Sequence, residues 1–273
     1  MATTKSRNPG SVRNGRLRRA PMVCLTGLLG CLLLACGGHV SGAGPSDSQS
    51  GFREEAQQAW QEARRQHRQN PADNRRAWEF ARACFEWADH ANEDSQRERI
   101  AEQGIRACRS AIERDSGLAP AHYYLALNLG QVARTKTVGA LRIVSDMERS
   151  LHRVLALNET FDHAGAHRSL AILYAEAPGW PVSVGSRSRS MEHFQRAVHL
   201  SPDYPGNRMA WLEAAVKWKE NEIIQTQYEA LKKLIPRARE EFSGRRWAPS
   251  WAEWDERWKL LREQIEPDQA PED

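Results

Sequence analysis

Three short blocks recur in this chain at one fixed interval. Ala111-Ile112-Glu113-Arg114-Asp115, Val154-Leu155-Ala156-Leu157-Asn158 and Ala197-Val198-His199-Leu200-Ser201 follow one another at an offset of 43 residues, and Leu118, Phe161 and Tyr204 keep the same offset. Each block closes an apolar stripe of helical period, and Pro120, Asp162 or Pro205 then opens the next helix. A unit of this kind buries its apolar face only against its neighbours, so the units must stack. The expected fold is all-α, a tetratricopeptide-like solenoid of stacked helical hairpins whose loops absorb the excess over the usual period of about 34 residues.

The chain from Phe52 onward agrees, because strand-like alternation is almost absent from it. The spacing predicts helices over Phe52 to Gln69, Asp73 to Ala91, Ser95 to Asp115, onward from Pro120, Val138 to Leu157, Phe161 to Ala177, Arg187 to Leu200, Pro205 to Glu220 and Glu222 to Phe242. Ser250-Trp251-Ala252-Glu253 reads as a capping box for a tenth helix, which carries Trp251, Trp254, Trp258, Leu261 and Ile265 on one stripe. A repeat array needs a terminal cap, and this helix fits that place. Tryptophan's affinity for membrane interfaces is the competing use, but the other face mixes Glu253, Asp255 and Glu256 with Arg257 and Lys259 and lacks a basic bias. The solenoid is expected over 52–266, with an acidic tail at 267–273.

A formal net charge of +4 suggests an anionic partner until the charges are located. Lys5, Arg7, Arg13, Arg16, Arg18 and Arg19 all precede residue 36 in a stretch without acids, and the remainder carries a net −2. No nucleic-acid partner is expected of such a domain. After the arginines, Ala20 to Cys36 is uncharged and ends in Leu33-Leu34-Ala35-Cys36, which resembles the lipobox of bacterial lipoprotein signals. The expectation is a signal peptide over 1–35, lipid on Cys36, and a Gly/Ser-rich tether over 36–51. Leu28-Leu29-Gly30-Cys31 also fits the pattern, and the uncharged stretch just reaches the length of an uncleaved anchor. The implied location is the cell envelope, with the domain tethered to the outer membrane and facing the periplasm.

Within 122–219 the residues carry a sharper likeness. Phe161-Asp162-His163-Ala164-Gly165-Ala166-His167-Arg168-Ser169-Leu170, Ala177-Pro178-Gly179-Trp180-Pro181 and Pro202-Asp203-Tyr204-Pro205, followed by Asn207-Arg208 and Leu212-Glu213, resemble the T component of tripartite ATP-independent periplasmic (TRAP) transporters and its relatives. That resemblance implies an exported helical-repeat protein that presents a periplasmic solute-binding subunit to a transporter. Leu170-Ala171-Ile172 and Trp211-Leu212-Glu213 depart from the family pattern, which leaves the partner open.

No catalytic constellation stands out, and neither an enzyme activity nor a cofactor is expected. His163 and His167 are four residues apart, as a shared metal would want, but the Glu of a zinc-protease motif is missing, and no metal site is assigned. Pro178 to Pro181 is a turn cluster, with Ser186 or Ser188 capping the next helix; Trp180 either plugs a groove or meets a partner. Asn207 is expected to satisfy backbone groups at a helix start, with a ligand role as the alternative. Glu213 is expected to form an ion pair with an arginine such as Arg168 or Arg208, with a carboxylate of raised pKa as the alternative. Cys84 and Cys108 fall on inward stripes of consecutive helices, where they either form a disulfide or pack as buried thiols.

Two functions are consistent with these features. In the first, a lipid-tethered scaffold binds an envelope protein on a concave face lined by Tyr123, Asn128, His167 and Trp211, with Trp180 and Asn207 as further contacts. In the second, a channel lined by Met147, Leu151, Leu170 and Trp211 carries a small hydrophobic ligand.

Overall fold

The computed structural model describes residues 47–136 and 139–266. Cys36, the signal peptide, most of the tether, Val138 and the acidic tail therefore lie outside the described residues. Ten α-helices follow one another: α1 (Asp47–Gln69), α2 (Asn74–Asp89), α3 (Asp94–Arg114), α4 (Ala119–Arg134), α5 (Ala140–Leu157), α6 (Phe161–Glu176), α7 (Arg187–Leu200), α8 (Pro205–Trp218), α9 (Asn221–Glu241) and α10 (Ala248–Ile265). A 3-10 turn, Arg245–Trp247, precedes the last.

Consecutive helices pack as hairpins, and the even-numbered ones also pack on one another, α2 on α4, α4 on α6, α6 on α8 and α8 on α10. Two layers result. The even helices form one layer, and the odd helices back it. α4 shows why: Tyr123, Tyr124, Leu125, Ala126, Asn128, Leu129, Gly130, Gln131, Val132 and Ala133 are all buried, so almost no face is left for solvent. α5, by contrast, is two-faced, with Val144, Met147, Leu151 and Val154 inward. One continuous apolar cluster runs from α2 to α6, and a second joins α8, α9 and α10 through Met209, Leu212, Tyr228, Leu231, Trp254 and Leu261.

Small residues set the approach of neighbouring helices. A Cβ on Gly104 would stand 2.6 Å from the Asn128 side chain, and Asn128 Nδ2 uses that space to donate to the carbonyls of Ala81 at 2.9 Å and Tyr124 at 2.8 Å. Cys84 and Cys108 lie in the same region as free, fully buried thiols, with no disulfide between them. Burial pushes the Cys84 thiol up to about 12, so both behave as small apolar groups.

Two helix starts differ from the expected ones, and a third helix is interrupted just after its start. α1 begins at Asp47, inside the expected tether, because Asp and Ser there are helix-start residues and Gly51 is tolerated within a long helix. α10 begins at Ala248, with Pro249 in its first turn, so Ser250 is inside the helix and caps nothing. At the start of α6, Asp162, His163 and Ala164 adopt left-handed backbone, with φ of 52°, 54° and 60°. That kink rotates His163 away from the face predicted by straight helical spacing.

Candidate docking surfaces

The residues singled out from the sequence are mostly interior. Tyr123, Asn128, His167, Asn207 and Trp211 are all buried and line no open face. Trp211 Nε1 and Asn128 Oδ1 are buried without a hydrogen-bond partner, and the other polar atoms of these side chains bond across repeats. Tyr123 Oη donates to Asp162 Oδ2 at 2.7 Å, Arg168 Nη2 donates to the same oxygen at 3.1 Å, and Arg168 Nη1 donates to Asn207 Oδ1 at 2.9 Å. Asn207 Nδ2 then donates to the carbonyls of Ala197 and His163, both at 3.1 Å. Asn207 thus satisfies backbone groups as expected, but at the end of α7 and the start of α6 and not at its own helix. The network joins α4, α6 and α8 and satisfies the buried arginine, which unpaired would be very costly. It also opposes the cost of the left-handed turn, roughly 1–2 kcal/mol per residue, by fixing Asp162.

His163 and His167 do not converge. His163 stacks on Tyr204 with ring centroids 4.5 Å apart, while His167 turns toward α7. There Glu159 is held down to about 2 by the Arg196 guanidinium and by His167, and as a carboxylate it accepts from His167 Nε2 at 2.9 Å. The bare Nδ1 of His167 must then accept from His193 Nδ1, 2.7 Å away. Burial, aided by His167, His152 and Arg189, pushes His193 down to about 4. Nearby, Tyr174 donates to Glu148 at 2.8 Å and Arg189 pairs with Glu148 at 2.9 Å. Among the described residues no group of three His, Cys, Asp or Glu side chains is placed to hold a metal.

Met147, Leu151 and Leu170 are packed within the α2-to-α6 core, and Trp211 belongs to a separate cluster with Phe194. The four do not line a common channel, because the Ala-rich helices close up around them. Trp180 is the opposite case: at 88% exposure it plugs no groove, and it projects from a loop tied by the Gly185 amide to the Pro178 carbonyl at 2.9 Å. Ser186 caps α7 by accepting from the Arg189 amide.

The inner face of α8 is covered by α10. Arg257 makes a two-pronged pair with Glu213, at 2.7 and 2.8 Å, and a further bond to Glu253 at 2.8 Å. Glu213 therefore pairs with an arginine two helices downstream and not with Arg168 or Arg208. Sequence spacing could not place a partner 44 positions away. Burial pushes Glu253 up to about 7 against the pull of Arg257, with the Asp89 and Glu213 carboxylates adding to the rise.

Outside, the odd helices splay and leave grooves. Between α5 and α7 the cations Arg189 and Arg196 are neutralised by Glu148 and Glu159. Between α1 and α3 a groove of roughly 260 Å³ is lined by Arg64, His67, Arg68, Gln103, Arg106 and Ser110 over a floor of Phe80 and Ala107. Sequence reasoning passed over these arginines. The signal was the i, i+4 pair Arg64 and Arg68 on a predicted helix with no acid at matching spacing.

A family model, regulator of microtubule dynamics protein 1-3, matches residues 46–143. That match corrects the likeness to TRAP transporter T components, a different family. The segments behind that likeness are turns and packing positions, which stacked helical hairpins share irrespective of family. Among curated proteins none matches the chain.

Proposed function

We propose that this protein is a docking scaffold, held to the cell envelope by lipid on Cys36, that binds a protein partner without transforming it. One observation carries the reading. The polar side chains best suited to chemistry, Tyr123, Asp162, His167, Arg168 and Asn207, bond to one another or to neighbouring repeats and hold the array in one shape. A rigid array that spends its polar groups on internal registry offers a partner a preformed surface, which lowers the ordering cost of binding. The name of the matched family, a regulator of microtubule dynamics, also describes an effect exerted on another protein.

The leader and the sequence Leu33-Leu34-Ala35-Cys36 support the anchor. In-membrane crosslinking of the lipidated protein, with Cys36→Ser as the comparison, tests both parts. The expected result is one envelope protein captured by the parent and lost from the variant. Capture undiminished in Cys36→Ser would remove the anchor from the account, and capture of no protein by either would remove the scaffold.

A further inference from the structure

The groove between α1 and α3 differs in charge from the surface where α7 meets α5 and the α5–α6 loop. Among the described residues Arg64 and Arg68 have no carboxylate partner, and Arg106 has only an exposed 3.6 Å pair with Glu102. Arg114, at the far end, takes the neutral acceptors Asn74 at 2.8 Å and Ser110 at 2.7 Å. Asp73 is occupied in capping α2 and in a pair with Arg76. The groove is therefore cationic along its length, while on α7 Arg189 and Arg196 are neutralised by Glu148 and Glu159.

Its floor is apolar and aromatic. His67 stacks on Phe80 with ring centroids 5.4 Å apart, and Arg64 lies 5.1 Å from the Trp60 ring. Burial and the nearby Arg114 push His67 below the usual imidazole range, and its Nδ1 is buried without a hydrogen-bond partner. Buried polar atoms of native proteins are satisfied in the great majority of cases, so an orphan beside an open groove points to a missing donor or acceptor.

We infer that this groove docks an extended acidic segment of a partner protein, a reading that rests on the scaffold function and names the chemistry of its ligand. An extended chain presents every second side chain on one face, about 6.6 Å apart. Residues four apart on a helix stand about 6 Å apart, so alternate carboxylates meet Arg64 and Arg68 in register. Arg106 faces the same chain from α3, and an apolar side chain that continues the face of the acids, two positions on, lies over the Phe80 floor. Arginine favours such pairing because its fork accepts a carboxylate through two hydrogen bonds. A bilayer carries negative charge too, but a flat surface cannot enter a cleft between two helices.

The test is fluorescence anisotropy of a fluorescein-labelled short peptide alternating Glu and Ser around one Phe, titrated with the full domain. Its Gln counterpart serves as the uncharged probe. Binding is expected for the Glu peptide alone, weakened at least about tenfold by the triple change Arg64→Gln, Arg68→Gln, Arg106→Gln and weakened again by added salt. Arg142→Gln and Lys233→Gln, exposed cations elsewhere, leave it unchanged. Should the triple variant fold poorly, exposed Arg68→Gln alone is expected to weaken binding about threefold. Equal binding by parent and variant, or equal binding of the Gln peptide, would overturn the inference. So would phosphatidylglycerol vesicles that require the three arginines while the peptide stays unbound. Crosslinking that still captures a protein after such a failure would leave the scaffold standing and move its contact elsewhere.

Discussion

Gly165 stands where α6 passes closest to Tyr123. A Cβ there would lie 2.4 Å from Tyr123 Oη and 2.9 Å from Asp162 Oδ2, so the network requires glycine despite its position inside a helix. Gly165→Ala gains up to about 1 kcal/mol of helix propensity but displaces the tyrosine from Asp162. The expected balance is a loss of about 2 kcal/mol, seen as a fall of roughly 5 °C in thermal midpoint. At this scale the sequence was legible in part. The inward positions of Cys84 and Cys108 follow from periodicity, and both are buried. The pairing of His163 with His167 did not follow, because periodicity assumes one continuous helix and three left-handed residues interrupt it.

Among the elements, α10 has the least predictable chemistry. Its tryptophan stripe identified it as a cap, and Trp254 and Leu261 are buried against α8 and α9 accordingly. The ionic side was invisible, since Arg257 is satisfied by Glu213 of α8. Burial raises Glu253 to about 7 in the folded chain, above an unfolded value near the usual carboxylate range. The folded state therefore holds a proton that the unfolded state has already released. The resulting stability is complete at acidic pH and is lost as pH rises through 7. Glu253→Gln keeps an acceptor for Arg257 and removes the titration. Its thermal midpoint should decline less than that of the parent between about pH 5 and 7, the Asp89 carboxyl, which burial raises to about 6, accounting for the remaining slope; matching profiles would refute the assignment.

For the whole molecule, the fixed interval between repeats was the most informative feature of the sequence. It anticipated the hairpins, and α3, α5 and α7 end at corresponding positions, Arg114, Leu157 and Leu200. It did not anticipate the family model that matches 46–143, because a period reports how helices stack and not what they bind. Nor did it show the α1–α3 groove, whose charge imbalance exists only once two helices distant in sequence lie side by side. One contact departs from the local pattern altogether: Arg245 pairs with Glu55 at 2.5 Å, joining positions 190 residues apart. Every hairpin can form from near neighbours, so chain assembly is fast in its parts, and this closure carries the largest loop entropy and forms last. Interactions absent from the folding transition state act on the reverse step. Arg245→Glu should accordingly leave the refolding rate where it was and hasten unfolding by no more than about fivefold in stopped-flow denaturant jumps, since a pair this exposed contributes little to stability, so that the two ends of the array are held together only lightly.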